Sequence, residues 1–274
     1  PWPRLTSGVM PTIKSIETRD FRKQLEAGAG SDAVHTDPQY GYGVTLLKTD
    51  NGLTGSGIAY TLGSGTNLVC DAIQILAVQL QDRNIEELMA EFGAVQRSIA
   101  EHPAVRWLGP HKGVTHLALA SITNACFDLW AKARGVPLWK LLLDLSPEDI
   151  VRLIDFSYLE EEITSAEATE MLRSNQRGVL QTGYPGYDTS VGWFQYSDEQ
   201  IRDNAKAAVD AGFTAMKLKV GAKDHSHDVR RAFMVREAVG NDVRIMLDAN
   251  QAWSLPQAID ACLSLKEMEP YWIE

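Results

Sequence analysis

Cysteine is scarce in this sequence, with three residues in 274. Cys70, Cys126 and Cys262 lie far apart along the chain, and no C-x-x-C pair occurs. This spacing suggests neither a disulfide framework nor a zinc site built on paired cysteines. We therefore expect a reducing compartment and predict a cytoplasmic protein.

Long apolar runs and excess positive charge are also missing. No stretch of about 18 apolar residues occurs. The first ten residues, PWPRLTSGVM, lack the basic-then-apolar order of a signal peptide, so we treat residues 1–10 as a tail. Lys and Arg number 26 against 36 Asp and Glu, a net charge of −10. These features argue against a membrane-spanning protein and against a nucleic-acid partner, which requires clustered basic residues.

Residues 11–146 carry the pattern of one α+β domain. Alternating residues from Thr12 to Thr61 predict an antiparallel meander with Asn51-Gly52 as a hairpin turn. The polar segment between its first two strands is too long for a simple connection, so we predict that it is a lid. Apolar residues then recur every three or four positions up to Leu143, which predicts helices, including one over 85–100.

Residues 147–274 alternate between short apolar strands and amphipathic helices. This order is typical of parallel strand–helix units, either in a barrel or in a doubly wound sheet, which composition does not separate. The predicted strands are LIDFSYL, GYPGYDTS, AMKLKV, RIMLDAN and YWIE.

Two lysines stand one residue apart inside an apolar strand, TAMKLKVGA at 214–222. Side chains alternate along a strand, so Lys217 and Lys219 project from the same face. If that face is a barrel interior, burial favours the neutral amine and makes such a lysine a useful base. On an edge strand the same pair would be two solvated lysines. The flanking amphipathic helices favour the buried interpretation.

Carboxylates follow the next two strands at similar intervals. Asp248 comes 29 residues after Lys219, and Glu274 comes 26 residues after Asp248, so each interval is one strand–helix unit. The carboxyl ends of parallel strands meet at one edge, which predicts a shared site. Two carboxylates with a carboxamide neighbour such as Asn250 suit Mg²⁺. A single strand-end Asp more often caps the next helix, but the repeated interval favours a site.

These motifs resemble those of a known family. KLKVG, DANQAW and WIE at these spacings, after a domain that contains RWLGPHKG, resemble the enolase superfamily in its mandelate-racemase-like branch. GSDAVHTDPQY, IDFSYL and GYPGYDTSVGWFQYSDE are most similar to the L-fuconate dehydratase group of acid-sugar dehydratases. The resemblance implies an α+β capping domain (11–146) followed by the first half of a modified (β/α) TIM-type barrel (147–274), in a homo-oligomer.

The resemblance implies a Mg²⁺-dependent lyase that dehydrates a small acid sugar, L-fuconate or a relative, to a 2-keto-3-deoxy acid. Lys219 would remove the proton next to the substrate carboxylate, and Lys217 would be the neighbouring cation that touches this carboxylate. Asp248 and Glu274 would hold the metal. Trp193 is expected either to border this site or to pack in the core. The expected substrate contacts are Asn250, Tyr187, Ser190, His35 and Asp37.

The family pattern includes a third carboxylate ligand and a His–Asp acid pair on later strands, which this sequence does not contain. We therefore expect the 274 residues to hold an incomplete site, with the rest supplied by a longer chain or from elsewhere. Two alternatives stay open. A racemase or epimerase would share the proton-removal step without losing water, and a truncated, non-catalytic member would serve as a binding or assembly module.

Overall fold

The computed structural model describes residues 11–36, 38–108, 113–159, 161–175 and 183–274. These residues divide into two units. Among the described residues, the first unit contains those up to Lys23 and those from Tyr40 to Asn175, and the second contains Gln24–Gln39 and the residues from 183 to Glu274. The predicted boundary at 147 thus falls within the first unit, and the predicted lid belongs to the second. No helix in the described ranges is long and apolar enough to cross a membrane.

An antiparallel sheet forms one side of the first unit. Its strands β1 (Ile13–Lys23), β2 (Tyr40–Thr49) and β3 (Thr54–Thr61) pair in chain order. Gly52 adopts a φ of +85° in the turn between β2 and β3. The side chain of Asn51 accepts a hydrogen bond from the hydroxyl of Thr49 at 2.7 Å. The predicted meander and its Asn-Gly turn are confirmed.

Helices of the first unit pack on this sheet around one apolar core. Periodicity predicted a single helix over 85–100, but the chain breaks at Glu91, which ends one helix and begins the next. Gly93, just after the break, approaches the Ile154 carbonyl so closely that a Cβ would lie 2.7 Å from its oxygen. The helices are α1 (Thr66–Ala77, continued by a 3-10 turn at Val78–Leu80), α2 (Ile85–Ala90), α3 (Phe92–Ala100), α4 (Val114–Ala133), α5 (Leu138–Asp144), α6 (Pro147–Arg152) and α7 (Ser165–Asn175).

The longest of these helices, α4, lies directly against β3. A Cβ added to Gly57 would lie 2.0 Å from the carbonyl oxygen of Ser121. The Ser121 hydroxyl, which is buried, reaches the carbonyl oxygens of Gly43 at 2.9 Å and Gly57 at 3.2 Å. Glycine on the strand therefore lets the helix and sheet backbones approach closely.

The predicted strand LIDFSYL at 153–159 is wrong. These residues form turns after α6. The carboxylate of Asp155 accepts hydrogen bonds from the backbone N–H of Ser157 at 3.0 Å and from its hydroxyl at 2.8 Å. Arg97 donates to the same carboxylate oxygen at 2.9 Å. Local side-chain bonds of this kind compete with strand pairing, and the apolar letters alone do not reveal them.

The second unit is built on a parallel sheet with strand order β4-β5-β6-β7. The strands are β4 (Asp188–Gly192), β5 (Ala215–Lys219), β6 (Arg244–Asp248) and β7 (Trp272–Ile273). The helices between them are α8 (Asp198–Asp210), α9 (His225–Val239) and α10 (Leu255–Leu265), followed by a 3-10 turn at Lys266–Met268. The predicted alternation of strand and helix is confirmed for residues 183–274.

Alternation along β5 and β6 separates an apolar face from a polar one. Met216, Leu218 and Leu247 join the buried core of the second unit. Lys217 and Lys219 alternate with these residues and therefore project from the other face of the sheet. The charged face is the part of the fold on which the candidate site is built.

Candidate active site

Strand register brings the charged residues of β5, β6 and β7 together. Lys219 pairs directly with Asp248 in the parallel β5–β6 ladder. Beyond β7, the N–H of Glu274 donates to the carbonyl of Leu247 at 2.9 Å, and the N–H of Ala249 donates to the carbonyl of Glu274 at 2.8 Å. The ends of three successive strands therefore place these side chains at one edge, as predicted.

Four charged groups form one cluster at this edge. The Nζ of Lys219 lies 2.6 Å from Asp248 Oδ2. The Nζ of Lys217 lies 2.9 Å from the same oxygen and 2.5 Å from Glu274 Oε1. Lys217, Lys219 and Asp248 are 9, 7 and 4% exposed. The solvated-edge interpretation of the lysine pair is therefore wrong, because both ammonium groups are buried beside the carboxylate of Asp248.

This cluster sets the protonation of its members. Burial would raise the pKa of Asp248, but hydrogen bonds from Lys219 and Lys217 and from the N–H of Asn250 lower that pKa to about 2. Burial would lower the pKa of Lys217, yet its bonds to Glu274 and Asp248 raise that pKa. For Lys217, these bonds outweigh burial, which was expected to favour the neutral amine. Lys217 is therefore a stable cation.

A tight turn after β6 adds a carboxamide to the cluster. Asn250 has a φ of +47°, and its side-chain oxygen accepts a hydrogen bond from Lys219 Nζ at 2.8 Å. Its N–H donates to Asp248 Oδ1 at 2.9 Å. Asp248 does not cap the following helix, since Ser254 and Gln257 form the capping box of α10. The helix-cap interpretation of Asp248 is therefore wrong.

Aromatic rings lie beside both lysines. The ring of Tyr187 lies 5.9 Å from Lys217 Nζ, and the ring of Trp193 lies 5.8 Å from Lys219 Nζ. Both distances are within the range of a cation–π contact. Trp193 therefore borders the cluster. Tyr187 precedes β4 instead of ending it, and its ring packs edge-on against Trp272, a residue that sequence reasoning did not select.

The other predicted substrate contacts are not part of this cluster. Ser190 donates to Asp188 Oδ1 at 2.7 Å and, with Asn204 of α8, lines a cavity on the helix side of the sheet. His35 lies in the 24–39 loop, where its Nδ1 is 3.1 Å from both oxygens of Asp32. Asp37 lies outside the described residues.

The donor set of the cluster fits a hard cation in part. Asp248 and Glu274 both bond to the ammonium of Lys217, so their oxygens converge on a position that attracts positive charge. Mg²⁺ prefers carboxylate oxygens of this kind. In the described part of the chain, no group of three or more His, Cys, Asp or Glu side chains is arranged to hold a metal. These residues therefore offer two converging carboxylates, with Asn250 as their neighbour.

Sequence reasoning missed two charged residues that support the site. Asp228 and Arg231 of α9 are fully buried. They fall on the same helical stripe as the buried residues Ala232 and Val235. A charge on the apolar stripe of a helix is a usable signal, because charged residues are almost never fully buried without partners.

Family models match both parts of the chain. Residues 19–142 match "Mandelate racemase / muconate lactonizing enzyme, N-terminal domain", and residues 200–274 match "Enolase C-terminal domain-like". Mitochondrial enolase superfamily member 1 from Bos taurus is 43% identical over 96% of this chain and 61% of its own length. L-galactonate dehydratase from Hypocrea jecorina is 38% identical over 96% of this chain and 61% of its own length. The chain thus spans about six tenths of these relatives.

Solved structures agree with these matches. The crystal structure of human mitochondrial enolase superfamily member 1 aligns with a TM-score of 0.89 and 38% identity, over 97% of this chain and 63% of that one. L-talarate/galactarate dehydratase from Salmonella typhimurium LT2, liganded with Mg and L-lyxarohydroxamate, aligns with a TM-score of 0.71 and 21% identity, over 99% of this chain and 60% of that one. The second likeness concerns the fold alone. By its family models and relatives, the chain belongs to the enolase superfamily, in the mandelate-racemase-like branch.

Proposed function

We propose that this protein is a Mg²⁺-dependent dehydratase of acid sugars, a lyase that converts L-fuconate or a related sugar acid to a 2-keto-3-deoxy acid. The observation that carries the proposal is the cluster in which Lys217 and Lys219 meet Asp248 and Glu274 at the ends of three successive strands. L-galactonate dehydratase, at 38% identity, supports the acid-sugar class. A cytoplasmic location and a homo-oligomer stay predictions.

The strand order supports a barrel. Successive strands lie side by side from β4 to β7, and the order does not reverse. A doubly wound sheet reverses its order at a switch point, whereas a (β/α) barrel adds each strand next to the last. We therefore interpret the second unit as the first half of a modified TIM-type barrel, with its chemistry at the carboxyl ends of the strands.

Lys219 is the proposed base. Lys217 is held as a cation by Asp248 and Glu274, so we assign the role of base to Lys219, the second lysine of the pair, as the resemblance to the family implies. The neutral amine then takes the proton from the carbon next to the substrate carboxylate, while the amide of Asn250 orients Nζ at 2.8 Å. Lys217 donates to the substrate carboxylate. The 3-hydroxyl then leaves as water with a proton from a general acid, a role that the family pattern gives to the His–Asp pair of later strands, and the enol tautomerises to the 2-keto-3-deoxy acid.

Asp248 and Glu274 are the residues that would hold Mg²⁺. The ion, when bound, would supply positive charge that stabilises the negative charge developing on the substrate carboxylate. The ring of Tyr187 beside Lys217 and the ring of Trp193 beside Lys219 would limit the access of water to the two amines. His35 would contact a sugar hydroxyl, and Asn250 a substrate oxygen. Asp37 and Ser190 stay predictions as further contacts.

Proton NMR of the purified protein with Mg²⁺ and a panel of acid sugars in D₂O tests the proposal. Conversion of one sugar to a 2-keto-3-deoxy acid, abolished by EDTA, is the expected result. Deuterium incorporation at C2 without loss of water would replace the dehydratase with a racemase or epimerase. Mn²⁺ binding followed by electron paramagnetic resonance adds a readout that does not depend on turnover, and binding without any exchange would favour a non-catalytic member.

A further inference from the structure

Helix α9 carries two charged side chains, Asp228 and Arg231, that are fully buried in the second unit. Burying a charge costs free energy unless hydrogen bonds compensate for the lost water. The hydrogen-bond partners of these two side chains therefore indicate which parts of the fold they stabilise. Both side chains bond almost entirely to backbone groups of loops, and neither contacts the lysine–carboxylate cluster directly.

Arg231 binds the turn that follows β4. Its guanidinium donates to the carbonyl oxygens of Phe194 at 3.1 Å, Trp193 at 3.2 Å and Tyr196 at 3.4 Å. The nearest carboxylate, Asp198, lies 4.0 Å from Nε. The planar guanidinium presents its donors in a fixed fork that spans three carbonyls of one turn, whereas the three donors of a lysine ammonium diverge from a single nitrogen. Arg231 therefore fixes the shape of the 193–196 turn.

The same turn holds the 24–39 loop. The N–H of Phe194 donates to the carbonyl of Ser31 at 3.0 Å, and the N–H of Gln195 donates to the Ser31 hydroxyl at 3.0 Å. The side chain of Gln195 also donates to the carbonyl of Thr36 at 3.0 Å. Ser31 is fully buried. Arg231 and the loop thus bind the same turn, Arg231 through three of its carbonyls and the loop through N–H groups of Phe194 and Gln195.

Asp228, one helical turn before Arg231, supports the loop from a second side. Its Oδ2 accepts hydrogen bonds from the N–H groups of Gly221 and Ala222 at 2.8 Å each, immediately beyond β5. A Cβ at Gly221 would lie 2.8 Å from the Cβ of Ala33. The segment that follows Lys219 is therefore in close contact with the loop, which places the loop next to the strand ends.

Within the loop, Asp32 orients His35. Asp32 Oδ1 accepts from the N–H groups of Val34 at 2.8 Å and His35 at 2.7 Å. Burial would raise the pKa of Asp32, but the bonds from His35 and Val34 lower it, so the group is a carboxylate. A carboxylate only accepts hydrogen bonds, so the ring nitrogen Nδ1 of His35 is its donor, and this bond fixes the orientation of the ring.

We infer that Arg231 is a positioning residue that holds the 193–196 turn in the shape required to seat Ser31, and so places the 24–39 loop with His35 next to the strand ends. The contact between His35 and a sugar hydroxyl rests on the proposed function. The seating of the 24–39 loop by the 193–196 turn is independent of that function. Trp193, whose carbonyl Arg231 holds, is also the residue whose ring lies against Lys219.

Amide hydrogen exchange of the Arg231→Lys variant tests the seating without any substrate. Protection of the Phe194 and Gln195 amides should fall about tenfold or more, since each loses support for its bond to Ser31. Protection of the Leu218 amide in β5 should be unchanged. The matched control is Arg230→Lys, because Arg230 is the neighbouring residue, is exposed and forms an ion pair with Asp198. Unchanged protection at Phe194 and Gln195 in folded Arg231→Lys would overturn the inference.

Two further comparisons separate positioning from general stability. Ser31→Ala should lower protection of the Gln195 amide, and the effect should be smaller in the Arg231→Lys background because both changes act on one turn. Arg231→Gln serves if Arg231→Lys does not fold. Loss of protection throughout the second unit in both Arg231 variants, Leu218 included, would assign Arg231 to core stability and overturn the inference.

Kinetics connect the seating to the proposed function. Arg231→Lys should raise KM for the acid sugar relative to Arg230→Lys, because a loosened loop presents His35 less often. If exchange changes as expected but no acid sugar turns over in any variant, the proposed function fails while the seating stands. If turnover occurs and KM is the same in both variants, the loop is seated by Arg231 but does not contact substrate, and the role of His35 is wrong.

Discussion

Replacing Asp248 by Asn should destabilise the protein, because Asp248 Oδ2 is the shared partner of two buried ammonium groups. Lys219 lies 2.6 Å and Lys217 2.9 Å from this oxygen. The variant keeps the size of the side chain and an oxygen for the N–H of Asn250, but it removes the negative charge. Glu274, which forms an ion pair with Lys217, is then the carboxylate left in the cluster.

The magnitude follows from the pKa of Asp248. Folding lowers this pKa from 3.8 to about 2. A shift of that size corresponds to about 2 kcal/mol of unfolding free energy at neutral pH. Removing one partner of a buried ion pair costs about 3 to 5 kcal/mol in other proteins. We expect Asp248→Asn to lower the free energy of unfolding by about 2 to 4 kcal/mol at pH 7.

The same shift predicts the pH dependence. A lowered pKa means that the folded state binds fewer protons than the unfolded state, so this contribution is complete above about pH 4 and is lost as the pH falls through 2. The stability difference between wild type and Asp248→Asn should therefore shrink over that range. Urea unfolding in EDTA, at pH 7 and at steps down to pH 2, measures both quantities.

Asp260→Asn is the matched control, since Asp260 is exposed on α10. Its effect should stay within about 0.5 kcal/mol at pH 7. Equal stability of Asp248→Asn and wild type at neutral pH would refute the reasoning, because the two lysines would then not depend on Asp248. A stability difference that persists unchanged to pH 2 would also refute it.

Two further predictions concern packing and thiol chemistry. Gly57→Ala should destabilise the first unit by about 1 to 3 kcal/mol or more in thermal unfolding, because its Cβ would lie 2.0 Å from the Ser121 carbonyl oxygen; Gly186→Ala, with no atom within 4 Å of the new Cβ, should not. Burial raises the pKa of Cys126 to about 12. Iodoacetamide at pH 8 should therefore label the exposed Cys262 and should not label Cys126 until urea unfolds the protein, which mass spectrometry measures. Labelling of Cys126 in the native protein would contradict this burial.

The lysine–carboxylate cluster could be predicted from sequence because its signals are local. Strand alternation places Lys217 and Lys219 on one face, and an interval of one strand–helix unit places Asp248 and Glu274 at the same edge. Asn250 follows from its position two residues beyond Asp248. None of these inferences requires knowledge of how distant parts of the chain pack, which is why they agree with the structure.

Other features depend on contacts between distant residues. Ser190 lines a cavity together with Asn204 of α8, and no sequence pattern announces this contact or the register shift between Asp188 and Gly192. The turn at Asp155 depends partly on Arg97, 58 residues away. Arg231 is read as a surface residue unless its position on the apolar stripe of α9 is noticed. In each case tertiary contacts override the local preference.

The central claim is that Lys219 removes the proton next to the substrate carboxylate. The most direct measurement is deuterium incorporation at C2 of the acid sugar, followed by NMR in D₂O with Mg²⁺, for wild type, Lys219→Ala and the control Lys223→Ala, since Lys223 is exposed four residues downstream. We predict exchange in wild type and Lys223→Ala and none in Lys219→Ala, with Mn²⁺ binding retained. Undiminished exchange in Lys219→Ala would contradict the claim.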